Sequence, residues 1–411
     1  MTTDATYVIA GASLAGAKAA EALREEGFDG QVILIGEETE RPYERPPLSK
    51  DYMLGKADRE TIYVHPEGWY AEHDVDLRLG APVTGVDPGA HRVSLADGTS
   101  LRYTKLLLAT GSSPRRLPVP GGDQDGVLYL RSVQDSDRIK EAFGTAARVA
   151  VIGGGWIGLE TAAAARAAGV EVTVLEAAEL PLLRVLGRQV AQVFADLHRN
   201  QGVDLRGGVG VREITSQNGT ATGVRLADNS FVQADAIIVG VGITPNVGLA
   251  AAAGLDTDNG IKVGAQLRSS NPDIYAAGDV ANAFHPLLGR HVRVEHWANA
   301  LNQPAVAAKA MLGQEAAYDL VPYFFTDQYD LGMEFAGWIP PGADPDLVIR
   351  GDLAGREYIA FWHDKGQVLA GMNVNVWDVN ESIQQLVRSG IPVDPARLAD
   401  PSVPLTELAN A

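Results

Sequence analysis

The sequence predicts an α/β protein with two Rossmann-like dinucleotide-binding domains and a C-terminal α+β domain that contains an antiparallel sheet. Three observations lead to this prediction. A buried strand, a glycine turn and an alanine-rich helix begin at Val8 as VIAGASLAGAKAAEAL, and the pattern returns at Val151 as VIGGGWIGLETAAAARAAGVEVTVLE. From about Val321 onward the sequence consists of short, aromatic, alternating runs, which are typical of antiparallel strands.

Each of the two patterns reads as a β-α-β repeat, because an apolar run ends in a glycine turn, a helix follows, and a second apolar run comes next. The two repeats lie 142 residues apart, counted from Gly11 to Gly153. The predicted segments are 7–11, 14–27 and 31–36 in the first repeat and 148–153, 156–169 and 170–176 in the second.

The order of these segments predicts three domains. Apolar runs closed by glycine turns at 236–246 and 274–281 follow the second repeat, which indicates that the chain returns to the domain it began with. The predicted domains are a discontinuous first domain over 1–111 and 241–320, an inserted second domain over 112–240, and a C-terminal domain over 321–411.

The composition is that of a globular protein that can bury large cores. Of the 411 residues, 46% are hydrophobic and 21% are charged, and the formal net charge is −18. This acidic balance argues against nucleic acid as a partner. No apolar run reaches the roughly 18 residues that a membrane helix needs, and the N-terminal sequence has no charged and apolar signal segment. We therefore expect a cytoplasmic protein that does not bind membranes.

The chain contains no cysteine. This excludes disulfides, thiolate zinc sites, cysteine-ligated iron–sulfur clusters and redox-active cysteine pairs within the chain. We expect no metal site. If the protein transfers electrons, an organic cofactor must carry them.

The first glycine turn has Gly11, Ser13 and Gly16 at the positions of the G-x-G-x-x-G pattern. The first glycine permits a tight turn, and the last allows the helix to pack closely on the strand. Ser13 departs from the pattern, but a small side chain still allows the backbone to approach a pyrophosphate at the helix N-terminus. Glu37 and Glu38 end the next strand, 26 and 27 residues after Gly11, and one of them should accept hydrogen bonds from a ribose.

The second glycine turn has the complete pattern, with Gly153, Gly155 and Gly158. Glu176 ends the following strand, 23 residues after Gly153. A carboxylate at that position binds a ribose 2′-hydroxyl and repels a 2′-phosphate. Because no arginine or lysine occurs between Glu176 and Arg184, the sequence favours NADH over NADPH.

The alternative is that these glycines serve only as turns. Against it, each turn lies between a predicted strand and a predicted helix, each has an acidic residue at a suitable distance, and the arrangement occurs twice. We therefore predict two dinucleotide sites in one chain.

The sequence resembles the FAD- and NADH-dependent ferredoxin reductases of bacterial oxygenase and cytochrome P450 systems, such as putidaredoxin reductase. It is also similar to apoptosis-inducing factor and to the wider two-dinucleotide reductase superfamily. The resemblance covers nearly the whole chain. The segments that carry it are RPYERPPLSK at 41–50, LLLATGSSPRRLPVPG at 106–121, YAAGDVA at 275–281, VEHWANALNQ at 294–303 and PYFFTDQYD at 322–330.

The resemblance implies which residues bind FAD. It places Arg45 toward the diphosphate, Lys50 beside the isoalloxazine, and Asp279 on the ribityl chain. A charged surface loop for the first two, and a plain helix cap for Asp279, are the structural alternatives. The other residues that the resemblance places against FAD are Ala109, Thr110, Gly111, Glu295, His296 and Trp297.

The resemblance also implies three residues that act where nicotinamide and flavin meet. Lys50 stabilises the negative charge of reduced flavin, Glu160 orients Lys50, and Trp297 lies near the flavin. A solvated position for Glu160 and a core position for Trp297 are the alternatives. Gly242, in GVGITPN, completes the NADH pocket.

The implied function is electron transfer from NADH through FAD to a 2Fe–2S ferredoxin that supplies an oxygenase or a cytochrome P450. Such ferredoxins are usually acidic, so docking on this acidic chain requires a local basic patch. The predicted docking site for the ferredoxin contains Arg290 and Arg293. The alternative docking site lies around Arg184 and Arg188. The sequence does not fix the oligomeric state, and we expect a monomer.

Other activities of the superfamily fit less well. Disulfide reductases and NADH peroxidases need a redox cysteine, which this chain lacks. A binding protein of the apoptosis-inducing-factor type should have a targeting segment and a basic surface. A reductase for rubredoxin or for a small-molecule acceptor stays open. The family's tryptophans before DQYD are replaced by Tyr323 and Phe325, which leaves the choice of partner open.

Overall fold

A computed structural model describes residues 4–409 and divides the chain into two compact units. The first unit consists of the residues up to Glu44, Arg59–Ser113 and Thr244–Pro322. The second consists of Arg45–Asp58, Pro114–Ile243 and the residues from Tyr323 onward. The second unit therefore contains both the region predicted as the inserted domain and the C-terminal sheet, and the finer division into three domains stays a prediction.

The described strands are numbered in chain order. They are β1 (Thr6–Ala10), β2 (Gln31–Ile35), β3 (Val75–Arg78), β4 (Val83–Asp87), β5 (Arg92–Leu95), β6 (Ser100–Arg102), β7 (Lys105–Leu108), β8 (Ser112–Pro114), β9 (Val127–Leu128), β10 (Arg148–Ile152), β11 (Glu171–Leu175), β12 (Asp204–Arg206), β13 (Val211–Gln217), β14 (Thr220–Leu226), β15 (Phe231–Gln233), β16 (Ala236–Val239), β17 (Ile243–Pro245), β18 (Ile261–Val263), β19 (Ile274–Ala276), β20 (Ala281–His285), β21 (Arg290–Val292), β22 (Tyr323–Gln328), β23 (Leu331–Gly337), β24 (Asp346–Asp352), β25 (Glu357–Asp364) and β26 (Gln367–Val374).

The described helices are numbered in the same way. They are α1 (Leu14–Glu25), α2 (Trp69–Glu72), α3 (Val133–Thr145), α4 (Trp156–Ala167), α5 (Leu183–Asn200), α6 (Gly248–Ala252), α7 (Trp297–Met311), α8 (Asn380–Ser389), α9 (Pro395–Ala399) and α10 (Leu405–Leu408). Short 3-10 helices occur at Pro46–Ser49, Arg59–Ile62 and Gly278–Val280. No helix within residues 4–409 is long and apolar enough to span a bilayer.

The first unit is built on a parallel five-stranded sheet of order β19-β7-β1-β2-β3. Its strands β1, β2 and β7 are short and mostly apolar runs, which is typical of parallel strands that are buried on both faces. β1, β2 and β7 provide the buried core residues Val8, Ile9, Leu34 and Leu107. Two three-stranded sheets, β4-β5-β6 and β18-β20-β21, belong to the same unit.

The second unit repeats this arrangement, with a parallel sheet of order β12-β11-β10-β16-β9. It also contains the antiparallel sheet β13-β14-β15 and the C-terminal antiparallel sheet β22-β23-β26-β25-β24. Side chains of α4 and α5 share one buried cluster with this C-terminal sheet, including Leu159, Phe194 and Tyr358. The predicted fold class, two Rossmann-like domains with a C-terminal α+β domain, is confirmed.

Candidate functional site

The first glycine turn leaves no space for a side chain at two of its positions. A Cβ atom on Gly11 would collide with the carbonyl oxygen of Ala109, and one on Gly16 would collide with the carbonyl oxygen of Gly11. Gly11 also has a φ of +122°, in a region that favours glycine. Ser13 is the N-cap of α1 with extended backbone, and the first turn of the helix contains no acidic residue. The first backbone N–H groups of α1 therefore present a positive helix end to a ligand.

The second turn has the same backbone. Gly153 has a φ of +105°, and a Cβ there would collide with the carbonyl oxygen of Gly240. A Cβ on Gly158 would collide with the carbonyl oxygen of Gly153. Gly155 is the N-cap of α4 and has an extended backbone, and a Cβ on it would have no atom within 4 Å. Packing within the chain therefore requires the outer glycines but not the middle one, which fits close approach by a ligand.

The carboxylate of Glu176 is fixed beside the second turn. Its Oε2 accepts a hydrogen bond from the backbone N–H of Gly154 at 2.6 Å, and its Oε1 accepts one from Ala178 at 2.7 Å. The end of β11 therefore places a negative charge against the turn. This is the position from which a carboxylate can bind a ribose hydroxyl.

The acidic pair of the first unit is held differently. Glu37 is exposed, and Glu38 is half-buried and accepts a hydrogen bond from the hydroxyl of Tyr43. Both residues lie shortly after β2 in sequence, as expected, and the structure does not single out one of them as the ribose ligand.

Three chain segments meet beside the first turn. Gly278 has a φ of +80°. A Cβ atom placed on it would lie 3.2 Å from the Cβ of Ala15 in α1 and 3.9 Å from the Cβ of Ala300 in α7. Asp279 follows in the 3-10 helix, where its Oδ2 accepts a hydrogen bond from Ser112 at 2.8 Å. The small residues bring the starts of these helices close together. A carboxylate and helix N-termini are thus available to one ligand.

The N-terminus of α7 carries the EHW segment. His296 is the N-cap, and burial lowers its pKa to about 4, which keeps the ring neutral at pH 7. Glu295 forms an ion pair with Arg293. The indole Nε1 of Trp297 donates a hydrogen bond to Glu44 at 3.1 Å, so this tryptophan is half-buried and polar at one edge rather than enclosed in the core.

The ATG segment follows β7 directly. Ala109 is buried, and Thr110 exchanges two hydrogen bonds with Asn246, its hydroxyl donating to the backbone carbonyl and its own carbonyl accepting from the side-chain amide, each at 2.9 Å. Gly111 has a φ of +63° and accepts from the backbone N–H of Asn246 at 2.9 Å. The loop is therefore fixed in place by Asn246, which lies between β17 and α6.

The second unit contains a buried ion pair. Lys50 Nζ lies 2.7 Å from Glu160 Oε1, and the two side chains are 14% and 3% exposed. The hydroxyls of Ser49 and Thr326 also donate to this carboxylate. Lys50 Nζ further lies 5.4 Å from the ring centre of Phe325, within the range of a cation–π contact. Glu160 is therefore a buried acceptor of three donors and not a solvated residue of the first helical turn.

Two further predicted residues lie in the second unit. The guanidinium of Arg45 donates to the backbone carbonyl of Arg131. Gly242 is exposed with a φ of +102°, and its carbonyl accepts from the backbone N–H of Arg115 at 2.9 Å.

The candidate residues thus form two groups, one in each unit. The first group contains the first turn, the ATG loop, Asp279 and the EHW segment, and the second contains Lys50, Glu160, the second turn and Glu176. Ser49 and Thr326 were not predicted. Thr326 follows Phe325 in β22, so the two side chains point to opposite faces of the strand. The only sequence signal for this strand as part of the site is its resemblance to the family in PYFFTDQYD.

Each group fits a dinucleotide. Each unit offers a glycine turn whose outer positions leave no space for a side chain, a helix N-terminus without acidic residues in its first turn, and a carboxylate after the following strand. No group of His, Cys, Asp and Glu side chains that could hold a metal occurs among residues 4–409.

Comparison with known proteins identifies the family. Residues 5–304 match the pyridine nucleotide-disulphide oxidoreductase family, and residues 323–409 match the reductase C-terminal family. The anthranilate 1,2-dioxygenase system ferredoxin–NAD(+) reductase component of Burkholderia cepacia is 42% identical over 97% of this chain and 98% of that protein. Putidaredoxin reductase of Pseudomonas putida is 38% identical over 100% of this chain and 98% of that protein.

Solved structures agree with these relatives. The ferredoxin reductase for the CYP199A2 system from Rhodopseudomonas palustris has a TM-score of 0.94 at 36% identity, covering 98% of this chain and 99% of its own. The reductase in the covalent putidaredoxin reductase–putidaredoxin complex has a TM-score of 0.95 at 37% identity, covering 99% of each chain. The chain therefore belongs to the pyridine nucleotide-disulphide oxidoreductase family, among the ferredoxin reductases of oxygenase and cytochrome P450 systems, and its cofactors are FAD and NAD(H).

Proposed function

We propose that this chain transfers electrons from NADH through FAD to a 2Fe–2S ferredoxin, which supplies an oxygenase or a cytochrome P450. The single observation that carries the proposal is the buried Lys50–Glu160 ion pair, in a chain with two dinucleotide turns and no cysteine. A positive charge held in place by a buried carboxylate suits a cofactor that becomes negatively charged on reduction. The ferredoxin is proposed from the names of the relatives.

The residues proposed to hold FAD are those that the resemblance implies. In the first unit, Asp279 and the N-termini of α1 and α7 provide a carboxylate and backbone N–H groups. The full set is Gly11, Ser13, Gly16, Glu37, Glu38, Arg45, Lys50, Ala109, Thr110, Gly111, Asp279, Glu295, His296 and Trp297.

The second unit is proposed to hold NADH. The N-terminus of α4 would bind the pyrophosphate, and Glu176, fixed by two backbone N–H groups, would accept hydrogen bonds from the adenosine ribose. The full set is Gly153, Gly155, Gly158, Glu160, Glu176 and Gly242.

Bound FAD supplies the redox chemistry, since it accepts a hydride equivalent and releases electrons singly. The residues of the chain bind, orient and stabilise. Lys50 presents a fixed ammonium group, Glu160 holds that group in one orientation, and burial of the pair strengthens its electrostatic effect.

The ferredoxin dock is proposed at β21. Arg290 and the neighbouring His291 are exposed, whereas the side chain of Arg293 is only 6% exposed and bonds to Glu295 and to the backbone carbonyl of Asp279. Arg293 therefore stabilises the EHW segment from within, and Arg290 is the residue of the predicted pair that can contact an acidic partner. We further propose that the protein acts in the cytoplasm as a monomer.

The dock is tested by charge reversal. Arg290→Glu should raise the KM for the ferredoxin about fivefold and flatten its salt dependence, since a rim charge acts mainly through electrostatic attraction. Arg102→Glu, at an exposed arginine of β6, makes the same change in net charge and should leave the KM unchanged. An equal effect of both variants would place the dock elsewhere, with Arg184 and Arg188 as the next candidates.

The function itself is tested with the purified protein under anaerobic conditions. The protein should contain FAD, and NADH should bleach its flavin absorbance. Reduction of cytochrome c by NADH should then depend on an added two-iron ferredoxin. Equal rates with rubredoxin or a quinone in place of the ferredoxin would contradict the proposed partner, and a flavin that NADH does not reduce would contradict the proposed reaction.

A further inference from the structure

A chain of buried polar side chains leads away from Glu160 through the second unit. Thr326 donates to Glu160 Oε1, Gln328 Nε2 donates to Thr326 Oγ1 at 3.3 Å, and Gln328 Oε1 lies 2.9 Å from His198 Nε2. The hydroxyl of Tyr329 lies 3.5 Å from His198 Nδ1, at the far end. Glu160, Thr326, Gln328 and His198 are 4%, 1%, 1% and 0% exposed.

Three elements provide these residues. Glu160 lies on α4, His198 in the last turn of α5, and Thr326 and Gln328 on β22. Because side chains alternate along a strand, Phe324, Thr326 and Gln328 share one face of β22. Phe324 on that face packs against Trp156 of α4, with ring centres 5.1 Å apart.

The hydrogen bonds of this chain run in one direction. The hydroxyl of Thr326 has one hydrogen, which it gives to Glu160, so it can only accept from Gln328. Gln328 then turns its amide NH₂ group to Thr326 and its oxygen to His198, which must carry its proton on Nε2. Every donor of this chain therefore points toward the Glu160 side chain.

Packing alone does not explain the choice of these residues. When both partners of a buried hydrogen bond are replaced by apolar groups of the same shape, the stability often changes little. Burial also lowers the pKa of His198, so the ring stays neutral and contributes no ion pair. The chain of hydrogen bonds instead provides orientation, since hydrogen bonds in series polarise one another.

We propose that Thr326, Gln328 and His198 are positioning residues, which hold the Glu160 carboxylate in the orientation that pairs with Lys50. The inference rests on the proposed function, because the purpose of that pair is to act on bound FAD. It assigns a role to the FTDQ segment, which the binding of the two dinucleotides leaves unexplained.

The first test measures the proton on His198 directly. In ¹⁵N-histidine-labelled protein, assigned with His198→Gln, the ring should be neutral with its proton on Nε2 at pH 7. Gln328→Met, which removes the acceptor and keeps an unbranched side chain, should abolish this single-tautomer signal. A proton on Nδ1 in the unmodified protein would overturn the proposed direction of the chain.

The second test separates positioning from folding by a matched pair. Thr326→Val, which removes only the hydroxyl donor, should slow reduction of the flavin by NADH about tenfold in stopped-flow measurements, with the Kd for NADH within twofold of the unmodified protein. Thr326→Ser, which restores a hydroxyl, should recover most of the rate. Thr215→Val, at a part-buried threonine of β13 bonded to Thr222, is the control and should change neither quantity.

The outcomes distinguish the two proposals. If NADH does not reduce the flavin of the unmodified protein, the proposed function fails, while the tautomer of His198 still tests the chain. If the unmodified protein is reduced and both Thr326→Val and Gln328→Met keep its rate, the positioning role is wrong. If Thr326→Val does not fold, Gln328→Met alone tests the positioning role. It should slow reduction of the flavin by NADH about threefold.

Discussion

The two glycine turns share a backbone, but the helices that begin at them differ in the charge they carry. In both turns, the outer glycines lie against a carbonyl oxygen, so the same steric constraint forms both. Seven residues after the first glycine, however, α1 has Lys18 and α4 has Glu160. Lys18 forms a partly exposed ion pair with Glu21 on its own helix, whereas Glu160 is buried and pairs with Lys50. The first turn therefore begins a helix whose charged residue at this position pairs within the same helix, and the second begins a helix that carries a buried charge.

The carboxylates after the second strand of each repeat also differ between the two units, in how firmly hydrogen bonds hold them. Glu176 is fixed by the backbone N–H of Gly154 in its own turn and by that of Ala178. Glu38, in contrast, accepts a hydrogen bond from the Tyr43 hydroxyl, and Glu37 is exposed. A fixed carboxylate discriminates between ligands, because a phosphate in its place would meet an unmoving negative charge. The second turn is therefore the one from which we expect coenzyme selectivity.

The largest expected effect tests the shared backbone. Gly158→Ala should destabilise the protein by about 3 kcal/mol, because its Cβ would collide with the carbonyl oxygen of Gly153 and the helix must shift. Gly16→Ala should do the same in the first unit, where the Gly11 carbonyl lies in the way. Gly155→Ala is the control, because its Cβ would have no atom within 4 Å. Its free energy of unfolding in urea should lie within about 1 kcal/mol of that of the unmodified protein. A similar loss at Gly155 would show that packing alone does not distinguish these positions.

The next effect tests the charge placed by α4. Lys50→Met should cost about 2 kcal/mol of stability, since it leaves Glu160 buried with hydroxyl donors alone. It should also slow flavin reduction by NADH at least tenfold while FAD is retained. The double variant Lys50→Met, Glu160→Gln should recover the stability but not the rate. Recovery of both would mean that the pair is structural.

The third effect tests the fixed carboxylate. NADH should be preferred to NADPH by roughly 100-fold in kcat/KM, because a phosphate dianion beside Glu176 is repelled in a partly desolvated site. Glu176→Gln should narrow the preference to below about tenfold. Glu37→Gln, the corresponding change in the first repeat, should leave it unchanged. Equal efficiency with both coenzymes in the unmodified protein would refute the assignment.

Local sequence patterns predicted the fold because each of its main signals is short-range. The glycine spacing places Gly16 against the carbonyl oxygen of Gly11, and the apolar runs predicted the parallel strands on either side of each turn. The alternating aromatic runs likewise predicted the C-terminal antiparallel sheet.

The partners of Glu160 could not be predicted in this way. Lys50, Ser49 and Thr326 lie 110, 111 and 166 residues away from it, and only the packing of β22 on α4 brings Thr326 to the carboxylate. The contact of Arg293 with Asn259, 34 residues away, is likewise one that no spacing rule predicts. The resemblance drew attention to the segments, and the contacts needed the structure.

The smallest expected effect concerns Lys18, which occupies in α1 the position that Glu160 occupies in α4. Lys18→Met should change the stability by less than about 0.5 kcal/mol, because the Lys18–Glu21 pair is partly exposed and spans one helical turn. It should leave FAD content and the rate of flavin reduction unchanged, although Lys18 occupies the position in α1 that Glu160 occupies in α4. Urea unfolding and stopped-flow reduction measure both quantities on the same preparation as Lys50→Met. A loss of rate with Lys18→Met as large as that with Lys50→Met would mean that α1 also places a functional charge, and the distinction between the two helices would have to be abandoned.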